Sequence, residues 1–318
     1  MAKFYDIFNG DADGLCALQQ LRLEEPRTAE LVTGVKRDLR LVERVDAQAG
    51  DELTVLDVNF QDNAAAVQRA LDRGARCRYF DHHTPGSIPE HANFKAYIDT
   101  APDVCTSLLV DRYLSARQRL WAIVGAFGDN LVDAAIRAAQ PLGLDHVELA
   151  RLHELGECLN YNAYGDSLDD LHYPPAELHR TMAPYRDPRH FIYDEPVFDV
   201  LRHAYVEDLS RAEEVAPEVD GPGYAAYVLP DAAWSRRVSG TYGNRLAQRD
   251  PQRAHAVLVA RGDDYVVSVR APVARPAGAS ALCKQFATGG GREGAGGINR
   301  LPAADFDRFI AAFAAAYD

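Results

Sequence analysis

Short apolar runs alternate with helix-like segments over the first 160 residues of the chain. Strands are predicted at Lys3–Phe8, Leu53–Leu56 and Arg76–Phe80, because each run stops abruptly at a polar residue. Helices are predicted at Gly14–Leu23 and Asn63–Leu71, where apolar residues recur at helical spacing. This alternation predicts an α/β domain with a mainly parallel sheet and helices on both faces. Such sheets bind ligands just beyond the C-terminal ends of their strands.

The pattern changes in the rest of the chain and indicates a second domain. The segment from about Asp103 to Asp166 is predicted to be mostly helical. Prolines then become frequent around a helix predicted near Val197–Val215. We therefore predict a first domain at residues 1–190, a linker with a helix at 191–222, and a smaller α/β domain at 223–318.

The predicted second domain contains a hairpin and a terminal helix. His255–Ala260 and Tyr265–Ala271 are strand-like and flank Gly262-Asp263-Asp264, which is a good turn sequence. Asp305–Ala315 has the apolar spacing of an amphipathic helix. Both features are typical of a small α/β domain.

Composition narrows the classes of protein. Hydrophobic residues make up 47% of the chain and charged residues 25%, as in an ordinary globular protein. The N-terminus lacks the pattern of a signal peptide, and the apolar stretch Leu120–Phe127 is too short to cross a bilayer. We therefore expect a cytoplasmic protein without a membrane partner. The five cysteines form no Cys-x-x-Cys pair, which argues against a disulfide framework and a zinc–thiolate site.

The net charge of −13 limits the partners. Tight binding of a long polynucleotide usually needs a basic stripe, and no run of lysine and arginine here exceeds two residues. A short oligonucleotide or a dinucleotide is therefore a better candidate than a long duplex. The sequence is compatible with a homodimer.

Four acidic segments follow predicted apolar elements. They are Asn9-Gly10-Asp11-Ala12-Asp13-Gly14, Asp57, Asp81-His82-His83, and Gly128-Asp129. Taken singly, such aspartates are common in turns and at helix N-termini. Taken together, they are predicted to converge on one edge of the sheet, where uncompensated carboxylates would repel one another.

Bound cations would remove this repulsion. The donors are carboxylate oxygens and imidazole nitrogens without thiolate, a set that suits Mn²⁺ or Mg²⁺. Two such ions roughly 3.5–4 Å apart can bridge a hydroxide and clamp both oxygens of an in-line displacement at phosphorus. The acidic segments therefore indicate metal-dependent hydrolysis of a phosphate ester.

The order Asp-x-Asp-Gly, isolated Asp, Asp-His-His and Gly-Asp resembles the four motifs of the DHH phosphoesterase superfamily. Gly289–Gly297 resembles the glycine-rich motif of the DHHA1 domain that accompanies it. The superfamily includes RecJ-type exonucleases, nanoRNases and cyclic-dinucleotide phosphodiesterases. The resemblance implies a DHH domain, a DHHA1 domain and an active site in the cleft between them.

The resemblance also implies roles for individual residues. One Mn²⁺ ion is expected on Asp13, Asp57, His82 and Asp129. A second is expected on Asp11 and the shared Asp57, with Asn9 nearby, and Mg²⁺ is the alternative metal. The catalytic residues implied are Asp57, His83 and Asp81. His83 would contact the scissile phosphate or protonate the leaving oxygen, and Asp81 would orient the histidines.

Substrate contacts are expected from the second domain. The residues implied are Arg270, Gly289, Gly290, Gly291 and Arg292. Glycines let a backbone approach a phosphate closely, and the arginines add positive charge. The alternatives are a flexible glycine loop and a solvated arginine at a strand end.

Two residues depart from the motifs of the superfamily. Asn9 stands where relatives often carry histidine or aspartate, and its neutral amide is a weaker ligand, so the second ion is expected to bind loosely or only with substrate. Arg292 stands where the glycine-rich motif commonly has histidine, so the substrate is expected to be less like those of the superfamily's other members.

These observations together predict a metal-dependent phosphodiesterase. It is expected to hydrolyse short oligonucleotides or linear or cyclic dinucleotides to mononucleotides, by in-line attack of a hydroxide bridging two metals. The alternative enzyme is a RecJ-like single-strand exonuclease. The alternative outside enzymology is a nucleotide-binding regulatory protein whose metal site is weakened at Asn9.

Overall fold

The computed structural model describes residues 2–318, and the chain divides into two units between His203 and Ala204. The division lies within the segment 191–222 that the sequence marks as a linker. It also lies within a helix, Pro196–Glu213, which overlaps the helix predicted near Val197–Val215. Within residues 2–318, no helix combines the length and the apolar character that crossing a bilayer requires.

The first unit is built on a five-stranded sheet. Its strands are β1 (Phe4–Phe8), β2 (Glu30–Val32), β3 (Glu52–Leu56), β4 (Arg76–Asp81) and β5 (Phe94–Ile98). Its helices are α1 (Ala12–Glu24), α2 (Phe60–Asp72), α3 (Thr106–Tyr113), α4 (Arg119–Gly128), α5 (Val132–Ala139), α6 (His146–Asn162), α7 (Pro175–Met182) and α8 (Pro188–Asp194), and α9 (Pro196–Glu213) crosses the division. The strand order is β2-β1-β3-β4-β5, and every neighbouring pair is parallel. The predicted parallel sheet is confirmed.

Both faces of this sheet are covered, because successive side chains of a strand point to opposite sides. On one face Val55 and Tyr79 pack with Phe60 of α2 in a buried apolar cluster. On the other face Asp6 of β1 pairs with Arg22 of α1, with 2.6 Å between Oδ1 and Nη2. The predicted arrangement of helices on both faces is therefore also confirmed.

Close contacts between glycines fix α4 against its neighbours. A Cβ atom at Gly128 would lie 2.2 Å from the Cβ of Ala12 in α1. A Cβ at Gly156 of α6 would lie 2.4 Å from the carbonyl oxygen of Val124 and 2.8 Å from the nitrogen of Gly128. The absence of side chains at these glycines lets three helices approach closely, and it fixes the end of α4 immediately before Asp129.

The second unit is a mixed α/β unit. Its strands are β6 (Val219–Asp220), β7 (Tyr224–Leu229), β8 (Ala254–Arg261), β9 (Asp264–Arg270), β10 (Gly289–Arg292) and β11 (Ala295–Pro302). Its helices are α10 (Ala233–Arg249), α11 (Ala279–Cys283) and α12 (Phe306–Tyr317). The strand order is β10-β11-β9-β8-β7-β6, with β7 and β8 parallel and the other pairs antiparallel. The predicted hairpin is β8–β9, and the predicted terminal helix is α12.

Gly156→Ala is expected to lower the free energy of unfolding by about 1–3 kcal/mol, because the added methyl group overpacks the contact between α4 and α6. Denaturant unfolding measures the change. Gly240→Ala is the matched control, since this glycine of α10 has no atom within 4 Å of an added Cβ. Alanine there should raise stability by about 0.5–1 kcal/mol through helix propensity. Equal stability of Gly156→Ala and the wild type would contradict the packing argument.

Candidate metal centre

The four acidic segments meet at the carboxyl edge of the parallel sheet. β1 is followed by the turn that carries Asp11, β3 is followed by Asp57, and β4 ends at Asp81. Two groups of side chains place potential ligand atoms within 4.8 Å of one another, namely Asp13, His82 and Asp129, and Asp57, His82 and His83. The first unit therefore holds carboxylate and imidazole groups that together can bind a metal ion.

The first acidic turn is held by its own backbone. Asp11 is the N-cap of α1, and its Oδ1 accepts hydrogen bonds from the N–H groups of Asp13 and Gly14, both at 3.1 Å. The Oδ1 of Asn9 accepts the N–H of Asp11 at 3.3 Å. The side-chain oxygen of Asn9 is therefore engaged with the backbone of the turn itself.

Asp13 is held by the first turn of α3. Its Oδ2 accepts the N–H of Thr106 and its Oδ1 accepts the N–H of Ser107, each at 2.7 Å. Amide groups at a helix N-terminus lack partners inside the helix and favour a negative charge. The carboxylate of Asp13 is therefore fixed in place by Thr106 and Ser107, which no sequence motif marks.

Asp57 has a left-handed backbone with φ of +59°, which is uncommon for a residue other than glycine. Its N–H donates to the carbonyl oxygen of Phe80 at 2.9 Å, and its Oδ1 accepts the hydroxyl of Thr106 at 3.0 Å. These contacts hold the unusual conformation, which is of the kind that clusters at functional sites.

His82 is oriented for ligation through its outer nitrogen. Its Nδ1 lies 3.0 Å from the carbonyl oxygen of Val104, which can only accept, so Nδ1 carries the proton. Nε2 is then a lone-pair donor, and it lies 3.5 Å from Oδ1 of Asp57 and 3.9 Å from Oδ2 of Asp129. A backbone carbonyl that fixes the tautomer is typical of histidines that bind metals.

Asp81 orients the second histidine. This fully buried carboxylate accepts the Nδ1–H of His83 at 2.7 Å through Oδ1, and the N–H of Phe60 at 3.2 Å through Oδ2. Burial works against the charged form of His83, but the hydrogen bond and charge of Asp81 outweigh it and raise the pKa of His83. The protonated imidazole is therefore favoured.

The negative charges of the centre are costly and would be balanced by a cation. Burial, followed by the charges of Asp13 and Asp11, raises the pKa of Asp57 well above its usual value. Burial and the charge of Asp13 raise the pKa of Asp129 to about 6. A divalent cation stabilises carboxylates whose ionisation is this unfavourable. The carboxylate oxygens together with one imidazole fit Mn²⁺ or Mg²⁺.

Lys36 also belongs to the cluster of charged side chains at this edge of the sheet. Its Nζ lies 2.5 Å from Oδ2 of Asp11 and 3.2 Å from Oδ1 of Asn160. Burial disfavours the ammonium, but Asp11, Tyr164 and Asp129 outweigh that effect and raise the pKa of Lys36 well above its usual value. No motif marks Lys36, which lies in a turn after β2.

The predicted substrate residues lie in the second unit. Arg270 ends β9, and its guanidinium donates to Oδ1 of Asn244 at 2.6 Å and to the hydroxyl of Ser268 at 2.8 Å. These bonds hold the side chain in one orientation. Arg292 ends β10 and is exposed.

The glycine segment is a strand rather than the flexible loop that was the alternative to a substrate contact. Gly289–Arg292 pairs with Ala295–Ile298 in an antiparallel hairpin at the edge of the sheet. A Cβ at Gly289 would lie 1.7 Å from the carbonyl oxygen of Cys283, so packing against α11 requires glycine there. Gly291 has φ of +136°, whereas a Cβ at Gly290 would meet no atom within 4 Å. Two of these three glycines therefore have a structural reason.

Comparison with known proteins rests on structure. No protein-family model matches the sequence, and no curated protein does. A solved DHH domain, from a member of a family of ribosomal proteins, superposes with a TM-score of 0.64 at 15% identity, over 99% of this chain and 86% of that one. The chain has the fold of the DHH superfamily. Its two units match that fold in order, a parallel sheet flanked by helices followed by a mixed sheet.

Two further solved structures share the DHH fold. The exonuclease RecJ bound to manganese superposes with a TM-score of 0.62 at 17% identity, over 99% of this chain and 90% of that one. A pGpG-specific phosphodiesterase from Vibrio cholerae superposes with a TM-score of 0.54 at 13% identity, over 98% and 97% of the two chains. At these identities, the superpositions establish that the chain shares this fold.

Proposed function

We propose that the protein is a metal-dependent phosphodiesterase that hydrolyses short oligonucleotides or linear or cyclic dinucleotides to mononucleotides. The observation that carries this proposal is the position of Nε2 of His82, within 4 Å of the carboxylates of Asp57 and Asp129. RecJ and the pGpG-specific phosphodiesterase have the same fold, and their names record phosphoester hydrolysis.

Asp13, Asp57, His82 and Asp129 would hold the first cation, and Mn²⁺ is the metal we propose, with Mg²⁺ as the alternative. A bound divalent cation supplies positive charge to the phosphoryl oxygens and makes water more acidic. Two sets of hydrogen bonds orient the ligands for this cation. Amide groups of α3 fix the carboxylate of Asp13, and the carbonyl of Val104 fixes the tautomer of His82.

His83 would act as the proton donor to the leaving oxygen. Its Nδ1–H is bound by Asp81, so the proton available for transfer is the one on Nε2. The hydrogen bond and charge of Asp81 raise the pKa of His83, which favours the protonated form that a general acid requires. Asp81 itself would act through His83, by fixing its orientation and its charge.

The second unit would bind the part of the substrate that does not react. Arg270 presents a guanidinium that is already oriented by Asn244 and Ser268, and such groups suit phosphate. Gly290, which packing does not explain, and Arg292 are further candidates for contact with the substrate. A short ligand agrees with the net charge of −13, which disfavours long polynucleotides.

The test is hydrolysis of a dinucleotide, a pentanucleotide and a 20-mer with Mn²⁺, with Mg²⁺ and with a chelator. We expect release of mononucleotides that requires metal and is faster for the two short substrates. Preference for the 20-mer would favour a RecJ-like exonuclease instead. Binding of dinucleotide without turnover under any metal condition would favour a regulatory nucleotide-binding protein.

A further inference from the structure

The ammonium group of Lys36 lies where the resemblance to the superfamily places ligands of a second metal ion. Its Nζ contacts Oδ2 of Asp11 at 2.5 Å. The other oxygen of Asp11 accepts two N–H groups at the start of α1. A lysine of this chain therefore neutralises the carboxylate on which a second ion would depend most.

Both the backbone and the side chain of Lys36 are held by neighbouring residues. Its backbone N–H donates to the carbonyl oxygen of Ala163 at 2.9 Å, and its Nζ lies 3.2 Å from Oδ1 of Asn160. Its Nζ also lies 5.5 Å from the centre of the ring of Tyr164. Contacts with three residues at the end of α6 make this side chain part of the centre rather than a mobile surface lysine.

The loop that carries Lys36 fits tightly against the loop that carries Asp11. A Cβ at Gly10 would lie 2.1 Å from the carbonyl oxygen of Gly34, so the two loops approach at the distance of backbone contact. A Cβ at Gly34 would lie 1.9 Å from Oδ2 of Asp38, whose carboxylate accepts the N–H of Val35 at 3.2 Å. The chain therefore folds so that Lys36 and Asp11 remain adjacent.

Asn9 and Asp57, the other groups expected to hold a second metal ion, offer it little. Asn9 offers a neutral amide, and its oxygen accepts the N–H of Asp11. Asp57 lies 3.5 Å from Nε2 of His82, in the group that would hold the first ion. A divalent cation beside Asp11 would also be repelled by the ammonium at close range.

We propose that the ammonium group of Lys36 takes the place of the second metal ion, so that the centre binds one divalent cation. Lysine is a compact point charge with three donors and can balance a carboxylate and contact phosphate, as a cation does. This inference rests on the proposed function, because it takes the first cation on Asp13, Asp57, His82 and Asp129 as given.

The experiment is titration of the full chain with Mn²⁺. Calorimetry measures the number of ions bound, and electron paramagnetic resonance shows whether they are coupled. We expect one ion per wild-type chain, with the spectrum of isolated Mn²⁺. Lys36→Met and Lys36→Gln remove the charge and should allow a second ion, seen as doubled stoichiometry and as exchange coupling between the ions. Lys95→Met removes an exposed lysine of β5 and should leave the stoichiometry at one.

Each other outcome has a definite meaning. Two coupled ions in the wild type would overturn this inference and leave the proposed function standing. One ion in both Lys36 variants, with an unchanged circular dichroism spectrum, would likewise show that Lys36 does not replace a metal. No binding of Mn²⁺ by the wild type would overturn the proposed function together with this inference.

Discussion

Asp57→Asn is expected to lower kcat about a thousandfold or more, since loss of a metal ligand removes several kcal/mol of transition-state stabilisation. The same substitution should make the metal-free protein more stable. Asparagine has nearly the shape of aspartate and tolerates the φ of +59° at this position, so the backbone is preserved. What disappears is a buried negative charge that Asp13, Asp11, Asp129 and Asp81 repel.

The gain in stability should depend on pH. Folding raises the pKa of Asp57, so its ionisation destabilises the fold as the pH rises above the value for an unfolded chain, about 4. The advantage of asparagine is therefore small near pH 4 and grows as the pH rises. Denaturant unfolding in the presence of a chelator measures it, and kcat is measured with Mn²⁺.

Asp72→Asn is the control for this prediction, because Asp72 is an exposed carboxylate at the end of α2. It should leave kcat unchanged and should alter stability by no more than about 0.5 kcal/mol, as is usual for a surface substitution. Near-normal activity of Asp57→Asn would rule out the proposed centre. Lost activity with lowered stability at pH 8 would instead show that the carboxylate of Asp57 has a structural role.

His83→Gln is expected to lower kcat by about 10²–10⁴-fold on a dinucleotide, the usual contribution of a general acid. The loss should be much smaller on a 4-nitrophenyl ester of a mononucleotide, because nitrophenolate leaves without a proton. The ratio of the two losses therefore separates proton donation from binding of the phosphate. Equal losses on both substrates would contradict the role of proton donor.

Asp81→Asn is the matched variant, because it keeps the imidazole of His83 and changes what orients it. We expect a loss of about 10–100-fold, the range typical of carboxylates that orient metal-binding histidines. The hydrogen bond and charge of Asp81 raise the pKa of His83, so their removal should lower it. Activity that needs protonated His83 should then decline at lower pH than in the wild type, and a full pH profile of kcat checks this.

The sequence predicts the central strands of the first unit better than its edges. β1, β3 and β4 each have a pair of buried apolar residues at or next to their ends, and a polar residue directly after each pair breaks the pattern. β2 has three residues and β5 is mostly half-buried, so neither has the apolar run that marks a buried strand. Edge strands of this kind form because a neighbouring strand offers hydrogen bonds, which is tertiary information.

The same distinction applies to the candidate centre. Asp57, His82 and Asp129 are visible in the sequence because each directly follows an apolar element. Lys36 and Thr106 are not, since they meet their partners Asp11 and Asp13 across 25 and 93 residues of chain. The arrangement of strands and helices decides such meetings. The glycine segment was not predicted to be a strand for a related reason, because β10 is a strand only through its pairing with β11.

The two amide groups that hold Asp13 also bear on how quickly a cation enters and leaves. The carboxylate is fixed by the N–H groups of Thr106 and Ser107. Because its orientation is set beforehand, loading requires little reorganisation of the ligands. Exchange of the proposed ion would then be governed by diffusion and by loss of water from the ion, and it would not require the fold to open.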